Sequence, residues 1–273
     1  DFSLDRKRQL MSGFNSPYHV PYHSGFRSPY SGSSAAPDPI LALFAANGWL
    51  GHYSDSLVAD SMFQNADGTV LASAENDVVG YRKDLSGNGL HATQADAAKK
   101  AKIGPSGGVI YDGMDDSHNM AFSIEMFSSM LVAVAEAPLN PSGIQVVISF
   151  AGSILLGAGR IALTQINGLW AATLVTDADN ETVSSDISSA VKSVITLRWD
   201  GANFSFRVNG SEKASGIVGG SLAPPIIAIG DFLTSVGVPF EGSIDAAIAS
   251  YNGTYSTADI ETIENTLMAR HGI

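Results

Sequence analysis

From residue 130 onward, the apolar residues of this chain come in short runs separated by glycine, Asn-Gly or Asp-Gly. Met130–Ala135, Ile144–Phe150, Ser153–Leu156, Arg160–Ile166, Leu169–Thr176, Val194–Trp199, Phe204–Val208, Ile226–Ile229 and Ser243–Ser250 have the length and β-rich composition of strands. Asn167-Gly168, Asp200-Gly201 and Asn209-Gly210 fall between them, where a hairpin needs residues that tolerate positive φ. Phe204, Phe206 and Val208 alternate with polar residues, the period of a strand with one wet face. Strands this closely spaced, with no helix between them, predict a β-sandwich or barrel.

Two stretches keep a helical period. Pro37 to Asn47 predicts a short helix with proline near its start and a stop at Asn47-Gly48. Near the end, Ser256 and Asp259 form a capping-box pattern, and Ile260, Ile263 and Leu267 recur at i, i+3 and i+7. This predicts an amphipathic helix over about 257–270 whose apolar stripe closes the sandwich. Between 48 and 120, turn signals at Asp67-Gly68, Ser86-Gly87-Asn88-Gly89, Gly107-Gly108 and Asp112-Gly113 predict a loop-rich region.

Residues 1–36 show neither period. Pro-Tyr-His occurs at 17–19 and 21–23, Ser-Pro-Tyr at 16–18 and 28–30, and Phe14, Tyr18, Tyr22, Phe26 and Tyr30 recur at a spacing of about four. Each proline fixes its own φ and pushes the residue before it toward extended backbone. Aromatic anchors on an extended chain suit a docking arm, with a floppy tail as the bland alternative. The chain therefore divides into an arm over 1–36 and a sandwich over 37–273.

Composition adds limits. Hydrophobic residues make up 45% and charged residues 15%, enough apolar material for a core. The net charge of −12 is uneven: Arg6, Lys7, Arg8 and Arg27 against Asp1 and Asp5 leave the arm at +2, so the remainder carries −14. Such a body repels phosphate backbones, so nucleic acid is not an expected partner. No apolar run reaches membrane-spanning length, and the first residues lack the layout of a secretory signal. The absence of cysteine excludes disulfides and thiolate chemistry.

Three stretches carry a resemblance. The first runs from Gly48-Trp49 through Met62-Phe63-Gln64-Asn65-Ala66-Asp67-Gly68-Thr69. The second is Asp84-Leu85-Ser86-Gly87-Asn88-Gly89-Leu90-His91-Ala92-Thr93-Gln94, followed by Tyr111-Asp112-Gly113-Met114-Asp115-Asp116. The third runs from Ala249-Ser250-Tyr251-Asn252 through the terminal helix to Arg270-His271-Gly272-Ile273. They resemble the concanavalin-A-like (laminin-G-like) jelly-roll modules of phage structural and tail-associated proteins. His52-Tyr53-Ser54-Asp55 stands where those modules carry Asp-Pro-Ser-Asp. The resemblance implies an all-β jelly roll, a fold that hosts enzymes, lectins and assembly modules alike.

Chemistry is sparse. Asp259, Glu261 and Glu264 mimic the Glu-x-Asp-x-x-Glu spacing of some glycan hydrolases. Here they sit on the terminal helix, where the helix dipole and a solvated face account for them. Asp84, Asn88, Asp112, Asp115 and Asp116 suit tight turns, and a calcium site from Asp84, Asn88, Asp115 and Asp116 is the alternative. His91 and His118 read as hydrogen-bonding residues, and His19 and His23 lack a common face for a metal. Trp49, Trp170 and Trp199 could stack on sugars, but Trp170 and Trp199 lie within apolar strands and read as core. No catalytic residue and no required cofactor are predicted. Together with the resemblance, this implies a non-catalytic virion protein made in the host cytoplasm, on the head as a decoration protein or on the tail. The arm would bind other virion proteins, and the chain is expected to form a homo-oligomer. The alternatives are a carbohydrate-binding adhesin for a host-surface glycan and a glycan depolymerase.

Overall fold

Two antiparallel sheets pack face to face, and two helices cover the outer face of the first. The computed structural model describes residues 37–121, 124–138, 143–151, 159–222, 224, 226–231 and 238–273. The arm residues Phe14, Tyr18, Tyr22, Phe26 and Tyr30, and the strand expected at Ser153–Leu156, lie outside them. In chain order the strands begin with Leu50–Asp55 (β1), Met62–Phe63 (β2), Tyr81–Arg82 (β3), Ala92–Thr93 (β4), Lys102–Ile103 (β5) and Val109–Asp112 (β6). Next come His118–Ala121 (β7), Ser129–Glu136 (β8), Ile144–Ala151 (β9), Arg160–Ile166 (β10), Leu169–Val175 (β11) and Asn180–Ser188 (β12). Ser193–Trp199 (β13), Asn203–Val208 (β14), Ser211–Ile217 (β15), Ile226–Ile229 (β16) and Glu241–Tyr251 (β17) complete the set. The helices are Pro39–Asn47 (α1) and Thr257–His271 (α2).

The first sheet runs β15-β14-β13-β8-β17-β6-β5, with β1 also paired to the long β17; the second runs β12-β11-β10-β9-β16-β7-β4-β3-β2. This is the expected all-β jelly-roll sandwich with a C-terminal amphipathic helix. Trp170, Trp199, Phe150, Phe206 and Tyr111 fill the space between the sheets. The expected long strands form among the described residues, β8, β9, β13, β14 and β17 extending one or two residues beyond their predicted bounds and β11 ending one residue short. The region expected to be loop-rich contains β1 to β6, most of them only two residues long.

Both helices start and stop on their predicted chemistry. Asp38 accepts a hydrogen bond from the Ile40 amide (2.9 Å), so α1 begins after the first proline rather than on it. Ser256 and Asp259 form the reciprocal capping box of α2, and Gly272 ends that helix in the left-handed region. Ile260, Ile263 and Leu267 are buried against Val132, Val134, Val194 and Ile248 of the first sheet. One expectation fails: Glu264 is not on a solvated face. It is 1% exposed and accepts hydrogen bonds from Arg207 Nε at 3.1 Å. The polar face of β14 is covered there by α2, so a charge pair replaces the water that face was expected to meet.

Removing the buried branched side chain in Ile263→Ala should destabilise the fold by about 3 kcal/mol. Glu261 is more than half exposed, and its contact with Arg207 is only 3.9 Å, so Glu261→Ala should leave the melting temperature nearly unchanged. Thermal melts of the two variants side by side check the assignment; equal shifts would contradict it.

Candidate functional site

The signature loop after β3 is a clamp. Asp84 Oδ1 accepts hydrogen bonds from the Tyr53 amide (3.1 Å), the Ser86 amide (2.9 Å) and the Ser86 hydroxyl (2.7 Å), and Oδ2 accepts one from the Leu90 amide (3.1 Å). Asn88 Nδ2 donates to the Trp49 and Gly51 carbonyls at 3.2 and 3.1 Å. Both side chains thus hold the loop onto β1, with protein donors on both carboxylate oxygens of Asp84.

Strand β1, with His52, Tyr53, Ser54 and Asp55, anchors two polar networks. In the first, His52 Nδ1 donates to the Leu90 carbonyl (2.7 Å) and Nε2 accepts from the Ser54 hydroxyl (2.9 Å), an assignment that follows from the partners. Arg82, fully buried, donates to Ser54 Oγ (3.2 Å), the Tyr111 hydroxyl (3.2 Å) and the Ile244 carbonyl (3.0 Å). Tyr111 passes its proton toward His118 Nδ1 (3.0 Å), and His118 Nε2 donates to the Val79 carbonyl (2.9 Å). One cation therefore sits between two neutral imidazoles. Burial, seconded for His118 by the Arg82 charge, pushes His52 down to about 4 and His118 down to about 3.

In the second network, Arg270 of α2 donates to Asp55 (2.6 Å), Asp38 (2.8 Å) and the Tyr53 hydroxyl. His271 lies between Asp55 (3.3 Å) and Asp245 (3.8 Å), and Lys192 pairs with Asp245 at 2.6 Å. Burial works to raise the Asp55 carboxyl, but the hydrogen bonds from His271 and Arg270 outweigh it and hold the group below its ordinary value. The first network is closed to solvent, and the second reaches it only through Arg270, Asp38 and Lys192. Both fasten the helices and loops to the sheet.

Of the residues proposed for calcium, Asp115 and Asp116 come together with Asp112, their carboxylate oxygens lying within 4.8 Å of one another. That set offers the oxygen ligands a hard cation would use. Asp84 and Asn88 serve the separate loop described above. Asp116 is raised to about 6, first by burial and then by the Asp112 charge.

Among the described residues, three surface concavities stand out. A cleft of about 340 Å³ beside Leu57, Met62 and Leu71 is mostly apolar. A groove of about 480 Å³ carries Asp112, Glu136, Glu241 and Lys192. The third, about 390 Å³, is built from Phe127, Ser128, Arg198, Asp200, Asn252, Gly253, Thr254 and Tyr255. Sheet register creates it: Ser129 pairs with both Trp199 and Tyr251, so the segments flanking β8, β13 and β17 end side by side.

This third groove is held rigidly. Asn252 Oδ1 accepts from the Phe127 amide (2.8 Å), and its Nδ2 donates to the Glu125 carbonyl (2.9 Å). Ser128 donates to the Gly253 carbonyl at 2.9 Å. Asp200 Oδ1 accepts from the Asn203 amide (2.7 Å), and Oδ2 accepts from Arg198 Nη2 (3.2 Å). Gly201, at φ +92°, must be glycine, because a Cβ there would lie 2.6 Å from the Phe127 carbonyl oxygen. Phe127 itself is 59% exposed and is the one exposed aromatic ring among the described residues. The three tryptophans weighed as sugar platforms are all buried, Trp49 included. Phe127, which the strand pattern passed over, is the aromatic that meets solvent.

No protein-family model and no curated protein matches this chain. Solved structures match it in fold. A GH54 α-L-arabinofuranosidase soaked with a cyclic sulfate inhibitor overlays with a TM-score of 0.59 at 12% identity, over 85% of this chain and 65% of that one. Trypanosoma rangeli sialidase in complex with 2,3-difluoro-KDN overlays with a TM-score of 0.53 at 17% identity, over 82% of this chain and 33% of that one. The Ruminococcus gnavus IT-sialidase CBM40 bound to α2,3-sialyllactose overlays with a TM-score of 0.44 at 17% identity, over 51% of this chain and 83% of that one. The chain thus spans about a third of the sialidase's length and just under two thirds of the arabinofuranosidase's. What it shares with the arabinofuranosidase and the Trypanosoma rangeli sialidase is the β-sandwich fold.

Proposed function

We propose that this protein is a non-catalytic carbohydrate-binding module that holds a glycan in the groove beside Phe127. The observation that carries the reading is the exposed Phe127 ring, on a backbone that Asn252 holds at the rim of a groove lined by Arg198, Asp200 and Thr254. A pyranose presents one apolar face of C–H groups and a ring of hydroxyls. An exposed aromatic face takes the first, and a few fixed polar groups take the second. The sandwich is also one on which named sugar enzymes are built, which makes the reading compatible with the fold.

Hydrolysis would need two carboxylates flanking the bound sugar. Asp200 is the single carboxylate lining this groove, and its backbone hydrogen bonds from Asn203 and Ala202, outweighing its burial, hold it below the ordinary range. It is a poor proton donor. Asp116 has the raised value an acid would want, but it is 5% exposed and does not line the acidic groove. The virion setting and the arm's role as an attachment segment rest on the sequence motifs alone.

A glycan array probed with the full chain tests the proposal. Retention of specific glycans is expected, with binding lowered by about tenfold or more in Phe127→Ala, the loss of one central aromatic contact. The melting temperature should not change, since the ring is exposed. Retention unaffected by Phe127→Ala, or release of oligosaccharide by the wild type, would contradict the proposal.

A further inference from the structure

We infer that the Phe127 groove selects uncharged sugars and discriminates against glycans that carry a carboxylate, an inference that rests on the binding reading above. The groove holds one cation, Arg198, and its charge is already matched by Asp200 at 3.2 Å. Arginine recognises a carboxylate best through two parallel N–H groups along one edge of the guanidinium. Here the edge formed by Nε and Nη2 is closed: Nε is buried and makes no hydrogen bond, and Nη2 is turned to Asp200. A carboxylate that reached the Nη1 side would have to share Arg198 with Asp200, so the pair offers it no net positive charge, whereas a neutral hydroxyl meets no such competition.

The other groups reinforce this. Asp200 lies close enough to a bound sugar to accept from hydroxyls and to repel a second carboxylate. Glu125, exposed, adjoins the rim through its carbonyl bond to Asn252. Ser128, Thr254 and Tyr255, the hydroxyl-bearing residues of the wall, are neutral. Beyond the groove, residues 37–273 carry −14, so the field at the surface disfavours anions before contact. Carboxylated glycans would meet no net positive charge at any distance.

The test uses the full chain on matched glycans that share a core and differ only in a terminal neutral hexose or a terminal uronic or sialic acid. The expected result is at least about tenfold tighter retention of the neutral partner, a preference that narrows as salt screens the field. Asp200→Asn keeps the oxygen that caps the Asp200-Gly201 turn but removes the charge and frees Arg198. It should cut the preference by about tenfold, with an unchanged melting temperature confirming the fold. Equal retention of the two partners, or tighter retention of the acidic one, would overturn the inference while leaving a sugar-binding groove in place. A neutral preference untouched by both Asp200→Asn and Phe127→Ala would place the discrimination elsewhere and overturn it as well. Retention of no glycan at all would defeat the binding reading itself, and the inference with it.

Discussion

Acidification from pH 7 to 4.5 is expected to destabilise this protein through His52 and His118. Both are buried and neutral in the fold, lowered to about 4 and about 3 from an ordinary value of 6.5. Across this window the unfolded chain binds protons that the folded chain refuses. Stability is therefore full above pH 6.5 and is lost as pH falls toward the folded values. Two protons of difference correspond to a slope of about 2.7 kcal/mol per pH unit. Asp116 opposes them. Raised to about 6 in the fold, it takes up its proton there before the unfolded chain does, and so returns about half of that slope between pH 6 and 4. The structural reason for the histidine effect is specific. Protonating His118 would turn Nδ1 into a donor facing a Tyr111 hydroxyl that already accepts from Arg82, and would add a second cation to a buried one. Chemical denaturation of wild type and His118→Gln at pH 7 and 4.5 measures the effect. The variant should lose about 2–3 kcal/mol less than wild type between the two pH values, whatever its stability at pH 7. Parallel losses in the two proteins would show that His118 is not the group being forced to charge.

Asp55→Ala should cost about 3–5 kcal/mol, because it removes the fully buried carboxylate that Arg270 and His271 share, leaving Arg270 with the Asp38 carboxylate alone and His271 with Asp245 at 3.8 Å. For a domain of this size that corresponds to a fall in melting temperature on the order of 10 °C. Asp55→Asn retains an acceptor for the Leu57 amide but not the charge, and should fall between wild type and Asp55→Ala. The contrast is Asp186→Ala, which breaks a 2.8 Å pair with Lys213 in which the aspartate is largely in water and should not shift the melt. If Asp55→Ala melted like Asp186→Ala, the fastening of α2 to β1 would not depend on this network. The carboxyl of Asp55 is held low in the fold, so its contribution persists above its unfolded value near 3.8 and fades only as pH drops through the lower folded value.

Where side chains obey a simple period, the sequence by itself determined the element. Phe204, Phe206 and Val208 alternate into the core, and Ile260, Ile263 and Leu267 line one stripe of α2. Each choice there follows from nearest neighbours along one chain, which is all a periodicity measures. Strands β12 (Asn-Glu-Thr-Val-Ser-Ser-Asp-Ile-Ser) and β15 (Ser-Glu-Lys-Ala-Ser-Gly-Ile) went unread because they are polar edge strands with little to bury. Strand β1 went unread for the opposite reason. His52, Ser54 and Asp55 are wholly buried, yet they are polar, and only distant partners at 82, 90, 270 and 271 make that burial tolerable. Glu264 looked solvated until Arg207 was placed beneath it. The groove was the least legible part. Phe127, Asp200 and Asn252 belong to segments more than fifty residues apart and form one site because Ser129 pairs with Trp199 on one side and Tyr251 on the other. Local chemistry settles which segments become strands, but which loops meet is settled by cross-strand register, a long-range outcome of packing both sheet faces at once.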